Sequence, residues 1–378
     1  MALEEKRGSA AQKLLDQKLG PFLLGALGLL LWVKKRLFTF RPQQEKPLLI
    51  CFGAIGDLIV LTAAAQQKYP ANQLYLACSK LNLPCAKLYS DFYAGIEVVD
   101  LKAPWSVLGI CRRFGINKIY DSTQWANIGP VQVGIARLFH RGLTAVGFKT
   151  SSPIRSMVYD KVIVHGRDVH EAANFVNLLA GQAVVSSNNE LPAYFPMLCE
   201  RKSLNRTGKI LFHMWPSGNR SYLKAWPEGY WEELIQRCVA LGYNVYLSGA
   251  PADQAKTEAL VAKLGLSQVA SLAGVHNLKD LADFVAREIE FAVSVNTGVL
   301  HLVVAAGVPV IGLHGAVNPV RWGPLGGQSI SLLPESGRSA YLHYGFEYPE
   351  DDSEAYVLDK LSVRQVLGAI TELRSRAN

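Results

Sequence analysis

The 378-residue chain has six cysteines (Cys51, Cys78, Cys85, Cys111, Cys199, Cys238) and no C-x-x-C pair among them. That spacing excludes a zinc ribbon and offers no disulfide framework, so the six read as buried free thiols in a reducing compartment. There is no D-x-D, and no His, Cys and Asp cluster has metal-ligand spacing. Glu350-Asp351-Asp352 reads as a solvated acidic run in a loop. Without a G-x-G-x-x-G turn, no nicotinamide or flavin fingerprint is present. A G-x-S-x-G elbow and a G-x-x-x-x-G-K-[ST] loop are missing too, which removes two common hydrolase and NTPase signatures. The 32 glycines and 18 prolines follow no period, excluding collagen-like and short-repeat folds.

What is present is ample core material. Hydrophobic residues are 49% of the chain and charged residues 19%, which excludes disorder as the main state. At roughly 150 residues per domain the length predicts two domains. The net charge of +8 is unevenly placed. Residues 1–46 hold nine Lys/Arg against four acids, an excess of five. The remainder is close to balanced and argues against nucleic acid as a partner.

Within that basic segment, Pro21–Val33 is uncharged and leads directly into Lys34-Lys35-Arg36. At about 1.5 Å per residue it reaches some 20 Å, short of a hydrocarbon core of about 30 Å. Basic residues where a cleavage site would stand exclude a signal peptide. The expectation is an interfacial or re-entrant helix on an anionic membrane surface. Phe22 and Leu30 would face acyl chains, Trp32 would sit at headgroup depth, and Lys34, Lys35 and Arg36 would meet lipid phosphate. Leu37, Phe38 and Phe40 would extend the contact. The alternative is a helix packed on the protein's own core. A membrane site makes a lipid-linked substrate natural and predicts a peripheral or monotopic protein on the cytoplasmic face of its membrane.

From Lys46 the chain alternates apolar strand-like runs with helical periods, the pattern of parallel α/β sheets. Strands are predicted at Leu48–Phe52, Leu74–Ala77, Ile96–Asp100, Ile119–Asp121 and Ala145–Phe148, with a helix from Asp57 to Lys68. A second series runs through strands Lys209–His213, Asn244–Ser248, Phe291–Val295 and Val308–Leu313. Its helices are Pro227–Leu241, Ala252–Leu264 and Val299–Ala306. A helix near Asp359–Arg374 follows a loop, Pro334–Tyr356. The reading is a membrane segment at 1–46, two Rossmann-like domains at 47–200 and 201–345, and a loop with a helix at 346–378. The active site is expected in the cleft between the two domains.

Three strand-to-helix turns stand out. In Gly53-Ala54-Ile55-Gly56-Asp57, Gly53 and Gly56 allow a tight turn and close approach of a ligand. Asp57 is either a helix cap or a general base at the sheet edge. In Ser217-Gly218-Asn219-Arg220-Ser221-Tyr222-Leu223-Lys224-Ala225-Trp226-Pro227, Pro227 suits a first helical position and Lys224 lies just upstream, placed for a phosphate. In Asn296-Thr297-Gly298-Val299-Leu300-His301, the backbone amides of a helix N-terminus suit an anion such as pyrophosphate. His301 reads equally well as a core histidine. The chain then passes Asn318 in a turn-rich loop.

These segments together resemble glycosyltransferase family 9, the heptosyltransferase family of bacterial lipopolysaccharide synthesis. Gly53–Asp57 looks like its N-terminal G-D turn, and Lys224-Ala225-Trp226-Pro227 matches K-x-W-P. Thr297-Gly298-Val299-Leu300-His301-Leu302 with Ala305-Ala306-Gly307-Val308-Pro309 is similar to T-G-x-x-H-L-x-A-A-x-x-x-P. The likeness runs from about Leu48 to the C-terminus. It implies a GT-B fold and an inverting, metal-independent transfer from a nucleotide-diphosphate sugar to a lipid-linked or lipopolysaccharide-type acceptor, with no cofactor. Asp57 would be the base. Lys224 and the amides at Thr297 and Gly298 would stabilise the leaving diphosphate. Ser217 and Asn219 would lie in the phosphate loop, Asp253 on the ribose, and His301 along the donor pocket. Two family acids are replaced, by Asn296 and by Asn318 in the cleft loop, so the donor sugar stays open between heptose and its relatives. The replacements also keep alive a catalytically silent GT-B glycan- or nucleotide-binding assembly protein.

Overall fold

The computed structural model describes residues 10–38, 44–124, 126–149, 152–166, 168–191, 198, 207–217, 221–315, 317–326, 328–334 and 358–376. The chain divides into two compact units, one within Leu3–Leu191 and one within Pro192–Leu342 and Glu347–Asn378.

The N-terminal unit begins with helix α1 (Ala10–Leu37) and continues β1 (Pro47–Cys51), α2 (Ile55–Gln66), β2 (Tyr75–Cys78), α3 (Leu83–Ala86), β3 (Gly95–Val98), α4 (Ser106–Phe114), β4 (Lys118–Asp121), α5 (Ile128–Phe139), β5 (Thr144–Lys149), α6 (Pro153–Ser156), β6 (Lys161–Val164) and α7 (Glu171–Ala180). Its six strands are all parallel in the order β3-β2-β1-β4-β5-β6. An all-parallel sheet is covered on both faces, so central strands must be apolar throughout. Pro-Leu-Leu-Ile-Cys in β1 is buried at every position, while edge strand β6 is mostly exposed.

The C-terminal unit repeats the plan: β7 (Lys209–His213), α8 (Glu228–Ala240), β8 (Asn244–Ser248), α9 (Gln254–Leu264), β9 (Val269–Ser271), α10 (Leu278–Glu288), β10 (Phe291–Val295), α11 (Gly298–Ala305), β11 (Val310–Leu313), α12 (Pro319–Trp322), β12 (Ile330–Leu332) and α13 (Val363–Ser375). The order β12-β11-β10-β7-β8-β9 is the same doubly wound sheet, again all parallel. Its core joins Phe212, Trp226, Trp231 and Phe291 to Leu361, Val366 and Ile370 of the C-terminal segment. Trp226 also donates its indole N–H to Leu361 O at 2.8 Å, so the Trp of the K-x-W-P motif holds the chain's end onto this unit.

Five cysteines, Cys51, Cys78, Cys85, Cys111 and Cys238, are free and buried, and burial pushes the Cys111 and Cys238 thiols up to about 12. Cys199, Phe40, Asn219 and the loop beyond Pro334 up to residue 357 lie outside the described residues. Among the described residues no helix is long and apolar enough to cross a membrane.

Helix α1 differs from the expectation of a segment given over to lipid. One stripe of it, Leu24, Leu27 and Leu31, is buried in the core of the N-terminal unit with Val131, Ala136 and Val158. Lys34, expected on anionic lipid, instead donates its ammonium to the carbonyls of Arg137 (2.5 Å), Leu138 (3.1 Å) and His140 (3.1 Å). These close the C-terminal end of α5, where orphan carbonyls and the negative end of the helix dipole favour a cation. Burial, aided by neighbouring Arg137 and Arg141, lowers the Lys34 pKa.

Candidate functional site

In a doubly wound sheet the ligand crevice opens at the C-terminal strand ends where the strand order reverses. That point lies between β1 and β4 in the N-terminal unit and between β7 and β10 in the C-terminal unit. The predicted Asp57 turn follows β1, and the Thr297–Gly298 turn follows β10. Topology alone therefore puts both motifs at switch points.

Asp57 is the third residue of α2, and Ala54 stands at its N-cap. The carboxylate turns back and its Oδ2 accepts the Ala54 backbone N–H at 2.7 Å, satisfying an orphan donor of the helix start. It lies over Gly53, where an added Cβ would meet Asp57 Cγ at 2.7 Å. Gly53 O in turn accepts from the buried Asn82 amide at 2.8 Å. The turn is thus fixed on both sides, with Gly56 buried and Asp57 half-buried. The cap reading of Asp57 holds as a bond, and that bond also fixes the direction of the carboxylate.

A feature absent from the sequence reading flanks this turn. The loop after β4 is braced by buried polar groups. Asp121 accepts from Thr123 Oγ1 at 2.6 Å and from Tyr159 OH at 2.6 Å, and burial raises its pKa. Buried Arg155 donates to Thr123 O and Gln124 O, and Gln124 donates to Glu171, which also bonds His165. The signal was Asp-Ser-Thr-Gln ending an apolar strand: polar groups there are kept inside only when each finds a partner.

In the C-terminal unit, Lys224 ends a short 3-10 turn, Ser221–Lys224, and donates to Ser217 O at 3.2 Å. These two predicted residues do come together. Pro227, expected as a first helical residue, sits one position earlier, at the N-cap of α8. Thr297 is the N-cap of α11 and Gly298 its first residue. Thr297 Oγ1 is buried and, among the described residues, has no hydrogen-bond partner. Leaving a buried hydroxyl unmatched costs about 1–3 kcal/mol. Asn296 donates its amide to His314 Nδ1 (3.0 Å) and to Trp322 O (3.1 Å). An aspartate could donate to neither, so the neutral residue is built into this site.

Other predicted residues are engaged in structure. His301 is 4% exposed, and its ring stands edge-on to Trp322 at 6.0 Å. Asn318 caps α12 by accepting from Val320 N at 2.9 Å. Asp253, expected on a ribose, accepts from Ala250 N at 2.9 Å and pairs with Lys256 at 2.8 Å. The sequence reading also missed His213 at the end of β7. Its Nδ1 lies 3.0 Å from Ser248 Oγ, and burial pushes its pKa down to about 4, so the ring is neutral at pH 7.

Two Rossmann-like units, each with a turn at its switch point, define a two-unit, doubly wound α/β protein. Comparison with known proteins finds that residues 185–347 match the family model of glycosyltransferase family 9 (heptosyltransferase). A 110-residue stretch, 29% of the chain, is 36% identical to lipopolysaccharide heptosyltransferase 1 of Pseudomonas aeruginosa and spans 30% of that protein. Solved structures share the fold over far more of the length. The E. coli ADP-heptose lipopolysaccharide heptosyltransferase II has a TM-score of 0.66 at 16% identity, covering 88% of this chain and 99% of that one. The E. coli heptosyltransferase WaaC, solved with ADP, has a TM-score of 0.62 at 20% identity, covering 86% and 99%.

Proposed function

We propose that the protein is an inverting glycosyltransferase. It would move a sugar, heptose or a close relative, from a nucleotide-diphosphate donor to a hydroxyl of a lipid-linked or lipopolysaccharide-type acceptor. The relatives named above act on or bind such compounds, ADP-heptose among them. The observation that carries the reading is the start of α11. Backbone amides at Thr297 and Gly298 start this helix at the switch point of β7 and β10, with a buried hydroxyl that has no hydrogen-bond partner among the described residues. Such a helix N-terminus suits a pyrophosphate.

In the proposed reaction Asp57 accepts the proton of the acceptor hydroxyl as its oxygen attacks the anomeric carbon. The bond from that carbon to the diphosphate oxygen breaks, and the electron pair leaves with the nucleoside diphosphate. Lys224 and the α11 amides stabilise this developing charge, with no divalent ion assigned to the step. Attack opposite the leaving group inverts the anomeric centre. The N-terminal unit supplies base and acceptor, the C-terminal unit the donor.

The test is nucleoside diphosphate release from ADP-heptose and other sugar nucleotides, with acceptor and with EDTA. Acceptor-dependent release with an inverted product supports the reading. Release abolished by EDTA would remove metal independence. A donor that binds but never turns over would favour a silent binding protein.

A further inference from the structure

Helix α1 carries two faces with opposite fates. Gly20, Leu24, Leu27, Gly28 and Leu31 are buried, following the i, i+4, i+7, i+8, i+11 spacing of one helix face. Gly28 lets the helix approach so closely that an added Cβ would meet Met157 Cβ at 2.5 Å. Both ends are tied as well. Asp16 accepts the Asn127 N–H at 2.9 Å at the start of α5, and Lys34 closes the carbonyls at its end. Helix α1 therefore lies flat along α5 and runs in the same direction.

The opposite face is apolar and exposed. Phe22, Leu29 and Val33 line up at i, i+7 and i+11, with 77%, 59% and 40% exposure, and Leu19, Leu23, Leu30 and Trp32 flank them. Water-facing leucines and aromatics in one contiguous stripe exceed the scattered exposure of an ordinary surface. Charge appears only at the ends. Lys18 stands at one, while Lys35 and Arg36 stand at the other, and exposed Arg141 acts on the adjoining Lys34. Arg36 stacks 3.8 Å over the Trp32 ring, an aromatic and a cation paired where an apolar stripe ends.

We propose that this outer face is an in-plane docking surface for an anionic lipid bilayer, with α1 parallel to the membrane and its own protein serving as the polar side. A re-entrant arrangement would require the buried stripe and both end ties to be broken. The end charges match anionic headgroups, and the stripe between them matches the acyl boundary. Helix α5 starts at the sheet edge that carries Asp57, so the bilayer would run alongside that edge. The proposal concerns lipid contact alone and is independent of the transfer reaction.

The test is flotation of the purified full chain with vesicles of mixed phosphatidylcholine and phosphatidylglycerol. The wild type is expected to float with them. The triple variant Phe22→Glu, Leu29→Glu, Val33→Glu should bind about 100-fold less or weaker still with an unchanged melting curve. Lys35→Gln with Arg36→Gln should bind about 30-fold less to these vesicles and the same to pure phosphatidylcholine. Fluorophores on Phe22→Cys, Leu29→Cys and Val33→Cys should report one shallow depth. A depth that increases from one end to the other overturns the in-plane arrangement. A wild type that ignores vesicles but self-associates through this face, becoming monomeric in the triple variant, overturns the lipid partner.

Discussion

The turns Gly53-Ala54-Ile55-Gly56-Asp57 and Gly249-Ala250-Pro251-Ala252-Asp253 are one device built twice, once in each unit. In both, the aspartate follows a parallel strand and accepts the backbone N–H of the alanine three residues back, at 2.7 Å and 2.9 Å. In both, the glycine is needed because a Cβ would strike that aspartate. The surroundings differ. Asp253 is paired with Lys256, whose ammonium lies 4.0 Å over the Trp215 ring, and it follows β8, one strand away from the switch point. Asp57 follows β1, at the switch point itself. The local motif builds a turn, and in the proposed reaction its position in the sheet order is what sets Asp57 apart from Asp253. The same division explains the proposed reaction: similar folds, with the base in one and the diphosphate cradle in the other.

The strongest way to break this comparison is to neutralise both aspartates. Asp57→Asn should lower transfer by about 10²–10⁴-fold. Stability should change by under ~1 kcal/mol, because asparagine still accepts the Ala54 N–H. Asp253→Asn should leave transfer within about 3-fold, since it loses mainly a partly exposed ion pair. Product release and thermal melting measure both, and equal effects at the two sites would dissolve the distinction.

Acid separates the units next. Strand β7 ends in His213 where β1 ends in Cys51. With its folded pKa lowered to about 4, His213 binds fewer protons folded than unfolded between pH 6.5 and 4. Stability of the C-terminal unit therefore falls as pH drops through that window, by about 3 kcal/mol at most. Hydrogen exchange of β7 and β8 amides should show the loss, and His213→Gln should flatten it.

The glycines give a smaller, qualitative contrast. Gly249→Ala drives a Cβ toward Asp253 Cβ (2.9 Å), Ala273 Cβ (3.0 Å) and Trp215 Cδ1 (3.2 Å), a crowded wall, and should cost about 1–3 kcal/mol in a denaturant melt. At Gly53 the three nearest atoms all belong to Asp57, so Gly53→Ala should displace the carboxylate and cut activity more than stability. Smallest is Thr297→Val. It removes a buried hydroxyl without a described partner, so the ligand-free melt should hold or rise slightly while the donor KM rises about tenfold.

Much of the fold was legible because central parallel strands are continuous apolar runs. Leu48–Phe52 and Phe291–Val295 were placed within a residue of β1 and β10. Strands β6, β9 and β12 escaped because short, half-exposed edge strands leave no such run. In α1 apolar residues occupy nearly every face from Leu19 to Val33, so periodicity could not separate the buried stripe from the exposed one. Lys34 followed an apolar run and read as a lipid contact; its carbonyl partners lie more than 100 residues away. At the candidate site, motif spacing singled out Asp57, Lys224 and Thr297, each of which stands at or beside a helix start. Asp253 and Asn318 accept from backbone N–H groups three and two residues away, whereas the network around Glu171 depends on tertiary partners that no local pattern encodes.

The division of labour between the two units is tested most directly by a thermal-shift comparison of wild type, Asp57→Asn and Thr297→Val against ADP, UDP, GDP, CDP and TDP. Ligand that binds only the folded state raises stability by RT ln(1 + [L]/Kd). The account predicts that one nucleotide stabilises the wild type and Asp57→Asn equally, and Thr297→Val less. A shift lost in Asp57→Asn but kept in Thr297→Val, or no shift with any nucleotide at millimolar concentration, would contradict it.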